Sequence, residues 1–200
     1  CEGASMDAMD KAATKFGMPM GPLALHDLVG TDVALFAGQV VASAYSDRAN
    51  MSPILADVVA AGRLGKKSGS GFRSYAGPKG KPSADPDFAA ILEKHRTDSR
   101  EFTPTEITER LFLPMLLEAT RVLEDGIVSE PAHVDLGLLL GIGFPAFRGG
   151  ILHWCDTEGP DAILKKLESY ADLGKRFEAT ESLSQMASSR GRYFNLGKVA

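Results

Sequence analysis

The sequence predicts an all-α fold made of two related helical units, and three observations carry that prediction. The stretch Phe16-Gly17-Met18-Pro19-Met20-Gly21-Pro22, followed by Asp27 and Gly30, has a longer relative in Phe144-Pro145 to Gly149-Gly150, followed by Asp156 and Gly159. Each is preceded by a helix-like segment with an internal Asp, Asp10 or Asp135, and self-similarity at a long period marks a duplicated supersecondary unit. Apolar residues recur at i, i+3, i+4 through most of the chain, the spacing of amphipathic helices, and no strand-rich region interrupts them. The copies differ in length. Asp10 to Pro19 is nine residues and Asp135 to Pro145 is ten, while Pro19 to Asp27 is eight against eleven from Pro145 to Asp156.

Each element has a local reason. Ser5 can cap a helix to Phe16, with Asp7 in the first turn where a negative charge meets the helix dipole. Gly17 and Pro19 end it, and Pro22 can open a short helix to Leu28. Thr31 is expected to cap a helix to about Tyr45, with Val33, Phe36, Ala37, Val40, Val41 and Ala44 as its apolar face. Ser52-Pro53 starts a helix to Ala61, and the Gly-rich stretch Gly62 to Gly71 follows, leaving through Phe72 and Tyr75. Residues 77–86, with three Pro and two Gly, read as a linker, and Phe88 to Arg96 as a weak helix. Thr103-Pro104-Thr105-Glu106 is a strong start for a helix to Asp125, apolar over most of its circumference and expected to kink at Pro114. Glu130 to Leu140 repeats the first helix, Pro160 opens another to about Asp172, and Thr180 to Ser188 is the last, before the aromatic tail Arg192-Tyr193-Phe194.

Composition narrows the functional classes. A formal charge of -4 and a pI near 5.6 argue against a nucleic-acid surface, which is ordinarily basic. Cys1 and Cys155 are too few for a disulfide framework and favour a reducing compartment. No apolar run reaches the roughly 20 residues of a membrane helix. The start, without Met or a signal peptide, reads as a piece of a longer protein.

The chemical motifs are sparse. Gly62 to Gly71 with Lys66 and Lys67 departs from a nucleotide P-loop, which needs G-x-x-x-x-G-K-[ST] after a strand, so a structural turn is the expected role and an anion contact the rival. Ser68-Gly69-Ser70-Gly71 supplies only part of a dinucleotide fingerprint. His153 and Cys155 would point to different faces of a helix, and His26, His95 and His133 stand alone, so no metal site is expected. Asp27 and Asp156 are expected to cap following helices. His26 and His153 should bond to backbone in their own turns. Arg148 is expected to bond the carbonyls that end the preceding helix, with a phosphate or carboxylate as the rival ligand.

These motifs resemble a known family. Phe16 to Pro22, Asp27-Leu28-Val29-Gly30 and Gly62 to Phe72 resemble the C-terminal domain of 3-hydroxyacyl-CoA dehydrogenases. Glu106 to Ala119, Glu124-Asp125-Gly126 and Gly141 to Gly159 resemble the second helical repeat of multifunctional fatty-acid β-oxidation enzymes. The resemblance implies two tandem repeats of the 6-phosphogluconate dehydrogenase C-terminal-domain-like type: residues 1–76, lacking the first helix, then a linker and short helix over 77–102, then 103–200. It implies NAD in the full-length enzyme, held by a Rossmann domain that would precede residue 1, and none held by this fragment, which alone should be inactive. The family's catalytic His–Glu pair would lie there too, as would the Asn of an Asn-Arg-x-x-x-Pro helix. In this chain the second copy keeps Arg110 and Pro114 of that helix but has Glu109 at the Asn position, so no catalytic residue carries over.

The expected substrate is a 3-hydroxyacyl-CoA, with Met18, Met20 and Leu23 lining its cleft. The expected partners are a second copy, through apolar surface at Ala12, Phe16 and Leu25, and a thiolase subunit. The expected location is the bacterial cytoplasm, or a mitochondrion or peroxisome in a eukaryote. The competing readings are a non-catalytic helical interaction domain and the helical domain of another 3-hydroxy acid dehydrogenase.

Overall fold

The computed structural model describes residues 1–77 and 80–194. Among them are ten α-helices and a single pair of two-residue strands, so the fold is all-α. The chain divides into two compact units, one of residues 1–14 and 20–107, the other of residues 15–19 and 108 onward.

The first unit opens with α1 (Met6–Phe16), whose last two residues count with the second unit. Ser5 Oγ accepts the Ala8 N–H at 3.1 Å, the expected cap. α2 (Pro22–Val29) and α3 (Thr31–Ala44) meet at Gly30, whose φ of 105° suits only glycine. Thr31 does not cap α3. It is the first helical residue, and its buried hydroxyl donates to the Arg63 carbonyl at 2.6 Å, tying α3 to the Gly-rich loop. α4 (Pro53–Ala60) supplies Ile54, Leu55 and Val58, which form the core with Phe72 and Phe88.

Residues 82–86, at the end of the stretch read as a linker, are built into this unit. β1 (Ser74–Tyr75) pairs antiparallel with β2 (Pro82–Ser83), Ser74 opposite Ser83 and Tyr75 opposite Pro82. Asp85 then caps α5 (Pro86–Lys94), accepting the N–H groups of Asp87 and Phe88. Buried Arg63 reaches the same carboxylate at 2.5 Å, and the Ser74 hydroxyl donates to it as well. Burial opposes ionisation of Asp85, but the bonds from Ser74 and Arg63 prevail and bring its carboxyl down to about 2.

The second unit is organised on α6 (Pro104–Glu124). Thr103 Oγ1 accepts the Glu106 N–H at 3.1 Å, but Glu106 turns away from the reciprocal cap to hold Arg100 at 2.6 Å. The helix continues through Pro114 to Glu124. Leu113, Leu116 and Leu117 on it are fully buried. Phe112 stacks on Phe16 with centroids 3.7 Å apart, and Phe16 meets Phe144 and Trp154 edge-on. Phe16 is therefore buried, and Ala12 is buried too, against the expectation of exposed surface there, while Leu25 is exposed as expected. α7 (Pro131–Ile142), a one-turn 3₁₀ segment at 146–148, α8 (Ile151–Glu158), α9 (Pro160–Glu168) and α10 (Glu181–Ser189) complete the unit. Thr180 caps α10 as its sequence indicates.

Candidate functional site

Two carboxylates fix each unit. In the first, Asp10 on α1 accepts the Leu23 N–H at 2.9 Å and pairs with Arg73 at 2.9 Å, holding the start of α2 against α1. Asp27 on α2 is fully buried. It accepts the backbone N–H groups of Phe72 and Arg73 at 2.8 and 3.1 Å and the Tyr75 hydroxyl at 2.7 Å. Asp27 thus caps no helix, contrary to expectation; it ties down a loop 45 residues away. Burial and then the Asp27 carboxylate raise the Tyr75 phenol well above its ordinary value.

That cradle explains the Gly-rich stretch. A Cβ on Gly71 would collide with the Asp27 carboxylate, and one on Gly65 with the Asp27 carbonyl. Four of the loop's donors are engaged within it: Gly65 N–H with Ser70, Gly69 with Lys66, Gly71 with Arg73, and Leu64 with the Ser68 hydroxyl. Lys67 holds Asp32 at 2.6 Å, and Lys66 sits 5.5 Å over the Tyr75 ring. The loop is a lock around Asp27, as the structural reading of it required. It does not fit the pyrophosphate of a dinucleotide, which needs free N–H groups opening onto a helix after a strand.

The second unit repeats the scheme with different detail. Asp135 on α7 accepts the Leu152 and His153 N–H groups at 2.8 and 3.0 Å, and a Cβ on Gly150 would strike its carboxylate. Asp156 on α8 accepts the Tyr193 and Phe194 N–H groups at 2.9 and 2.8 Å. It too fastens a distant segment, the aromatic tail, and not the helix that follows it. His26 and His153 meet the Pro22 and Arg148 carbonyls, within their own turns as expected. Arg148 Nε donates to the carbonyl that ends α1, Phe16 O, at 2.8 Å, and its guanidinium lies 4.0 Å over the Phe16 ring. The expected carbonyl partner was that of α7, the preceding helix. Glu109 accepts the Tyr170 hydroxyl at 2.6 Å, a structural use of that position. Burial and neighbouring carboxylates push the Cys155 thiol up to about 12, so it is inert as a nucleophile. Among the described residues, no three His, Cys, Asp or Glu side chains converge as a metal site would require.

The residues expected to line the substrate are half-buried. Met18 belongs to the second unit, Met20 and Leu23 to the first, and Leu23 packs on the core of Ile54, Leu55, Val58, Phe72 and Phe88. The larger apolar surface lies elsewhere. Leu28, Val29, Val33, Phe36, Val40 and Val41 on α2 and α3 are exposed; Val33, Phe36, Val40 and Val41 belong to the apolar face that the periodicity of α3 gives. Among the described residues no single helix is long and apolar enough to cross a membrane; α2 and α3 pass only as a pair bent by 106°.

The family described as "3-hydroxyacyl-CoA dehydrogenase, C-terminal domain" matches residues 1–75 and 107–194. The chain belongs to that family. The two matched stretches each contain one pair of the carboxylates described above. The fatty acid oxidation complex subunit alpha of Colwellia psychrerythraea is 40% identical over 201 residues, covering 96% of this chain and 28% of that protein. The protein of the same name from Pseudomonas entomophila is 39% identical over 198 residues, with the same coverage. The chain thus spans less than a third of the length of these relatives. A crystal structure of 3-hydroxybutyryl-CoA dehydrogenase from Escherichia coli K12 superposes with a TM-score of 0.71 at 22% identity, over 93% of this chain and 55% of that one. The dehydrogenase part of multifunctional enzyme 1 from C. elegans superposes with a TM-score of 0.69 at 24% identity, over 92% and 42%. At that identity the structures show a shared fold. The dehydrogenase C-terminal domain in this chain is therefore a carboxylate-locked helical scaffold.

Proposed function

We propose that the chain is the helical, substrate-side part of an NAD-dependent enzyme that oxidises 3-hydroxyacyl-CoA to 3-oxoacyl-CoA in fatty-acid β-oxidation. The observation that carries the proposal is the family match over residues 1–75 and 107–194. The nicotinamide cofactor would be held by another part of the whole protein, because the Gly-rich loop here is closed around Asp27. No chemical step is assigned to residues of this chain. Its contribution is a rigid wall: each α-helical hairpin is pinned by a carboxylate on backbone N–H groups, so the apolar segment after α1 is presented in one conformation. Met18, Met20 and Leu23 are proposed to line the acyl-CoA cleft. The whole protein is proposed to work in the bacterial cytoplasm, as a homodimer and beside a thiolase subunit.

The test is kinetic. In the whole enzyme, Met18→Ala, Met20→Ala and Leu23→Ala should raise KM for long 3-hydroxyacyl-CoA substrates several-fold and leave kcat nearly unchanged, since each removes about 1–3 kcal/mol of uniform apolar binding. Unchanged KM across chain lengths would reject these residues. A whole protein that reduces no NAD with any 3-hydroxyacyl-CoA would reject the activity.

A further inference from the structure

We infer that Phe147 is a specificity-determining residue of the acyl-CoA cleft. Its ring continues the wall that Met18 begins, and it grips long acyl chains where short ones do not reach. This rests on the preceding reading of Met18 as a lining residue and adds the ring beside it.

The turns after α1 and after α7 close in the same way. Gly21 lies against the Asp10 carboxylate and Gly150 against the Asp135 carboxylate, so close that a Cβ on either would collide with it. Two residues beyond each glycine, at Leu23 and Leu152, the same aspartate accepts a backbone N–H. Pro19 stands two residues before the first glycine, and Pro145 stands five before the second. The second turn is therefore three residues longer, and the 3₁₀ segment Ala146–Arg148 fills the difference. Since the first turn closes without such a segment, closure is not what the segment is for.

Arg148 anchors it. The Nε group donates to Phe16 O at 2.8 Å and the guanidinium lies 4.0 Å over the Phe16 ring, which fastens the segment to the end of α1. Phe147 is what the anchored segment presents. Its ring is 76% exposed, yet one edge rests on Gly17, where a Cβ would come within 2.7 Å of it. The φ of Gly17 is 118°, so both the backbone and the ring call for glycine there. Met18, half-buried, is the next residue along. An aromatic ring held in place before its ligand arrives has little freedom left to lose on binding.

Charge selects the ligand. Residues 16–19 and 141–147 carry no ionisable side chain, and Arg148 turns its Nε and the face of its guanidinium to Phe16. These segments offer the phosphates of a CoA nucleotide no charge. An aromatic face beside a methionine suits hydrocarbon, and the acyl chain is the hydrocarbon part of the proposed substrate.

The experiment is steady-state kinetics of the whole enzyme with 3-hydroxybutyryl-CoA and 3-hydroxyhexadecanoyl-CoA at saturating NAD. Phe147→Ala should raise KM for the long substrate about 10-fold or more, leave KM for the short one within about twofold, and leave kcat unchanged for both. Phe147→Leu, which keeps most of the apolar bulk, should recover most of the loss. Thermal melts check that each variant is folded, and at so exposed a position they should barely move. Met18→Ala separates the ring from the cleft. If Met18→Ala is selective for the long chain and Phe147→Ala is not, the ring is overturned and the cleft stands. If both leave every KM unchanged, the cleft falls and the ring with it. An equal rise for the two chain lengths would place the ring on the CoA part and overturn the inference. A lowered melting temperature with an unaltered chain-length profile would mean that another part of the whole protein covers the ring, and would overturn it as well. A wild-type enzyme that turns over neither substrate would overturn both the inference and the activity it rests on.

Discussion

The two units solve one problem with the same kind of side chain and unequal numbers of partners. Asp27 in the first receives three donors, two backbone and one phenolic, while Asp156 in the second receives two backbone donors. Asp10 has an arginine partner, whereas the donors to Asp135 among the described residues are backbone N–H groups, and burial raises its carboxyl above the ordinary value. The lock is thus a backbone device: a carboxylate gathers N–H groups from a loop that has no helix or sheet to satisfy them. Arginine and tyrosine reinforce it in the first unit, through Arg73 on Asp10 and Tyr75 on Asp27.

The sharpest way to break the comparison is to remove the locks. Asp27→Ala strands three buried donors and should cost about 4 kcal/mol or more, enough to unfold the first unit. Asp156→Ala strands two donors on the tail and should cost about 2–3 kcal/mol, with amide exchange rising chiefly at Tyr193 and Phe194. Denaturant titration with segment-resolved hydrogen exchange reads both. Equal losses would mean that the locks are equivalent after all.

Two phenols sharpen it further. The Tyr75 hydroxyl donates to Asp27, so Tyr75→Phe should cost about 1.5–3 kcal/mol, the range for a bond to a charged acceptor. The Tyr193 hydroxyl is buried near Ser182 without a well-formed hydrogen bond among the described residues. Tyr193→Phe should therefore leave stability unchanged or raise it by up to about 1 kcal/mol. Thermal melts of the two variants should move in different directions or by clearly different amounts.

The smallest effect is on pH. Asp85 in the first unit titrates at about 2 when folded against an ordinary 3.8, so its contribution is complete above about pH 4 and is lost as pH falls toward 2. Asp135 in the second unit has a raised folded value, so protonating it on acidification adds stability to that unit. Amide exchange followed from pH 5 downward should show the first unit opening before the second. The reverse order would mean that other carboxylates dominate.

Local chemistry in the sequence foretold the helices. Proline opens α2, α4, α6, α7 and α9 at the positions where its missing N–H costs nothing. Thr103 and Thr180 cap as they read. What was not legible depends on partners far along the chain. Nothing around Asp27 announces Phe72, Arg73 and Tyr75, and nothing around Thr31 announces the Arg63 carbonyl. Asp85 read as linker because its role depends on Arg63 and Ser74. That the apolar face of α3 is exposed was not legible either, because periodicity reports that a helix has an apolar side and not what covers it.

Phe16 gives the duplication an asymmetry of inheritance. The ring is encoded at the end of the first copy's opening helix, yet Phe112, Phe144 and Trp154 close around it and Arg148 clamps its carbonyl. A gene cut between the two copies would hand the downstream product a hollow where its central aromatic belongs. Residues 108 onward therefore do not hold the whole of their own core, whose central ring is encoded ahead of residues 20–107.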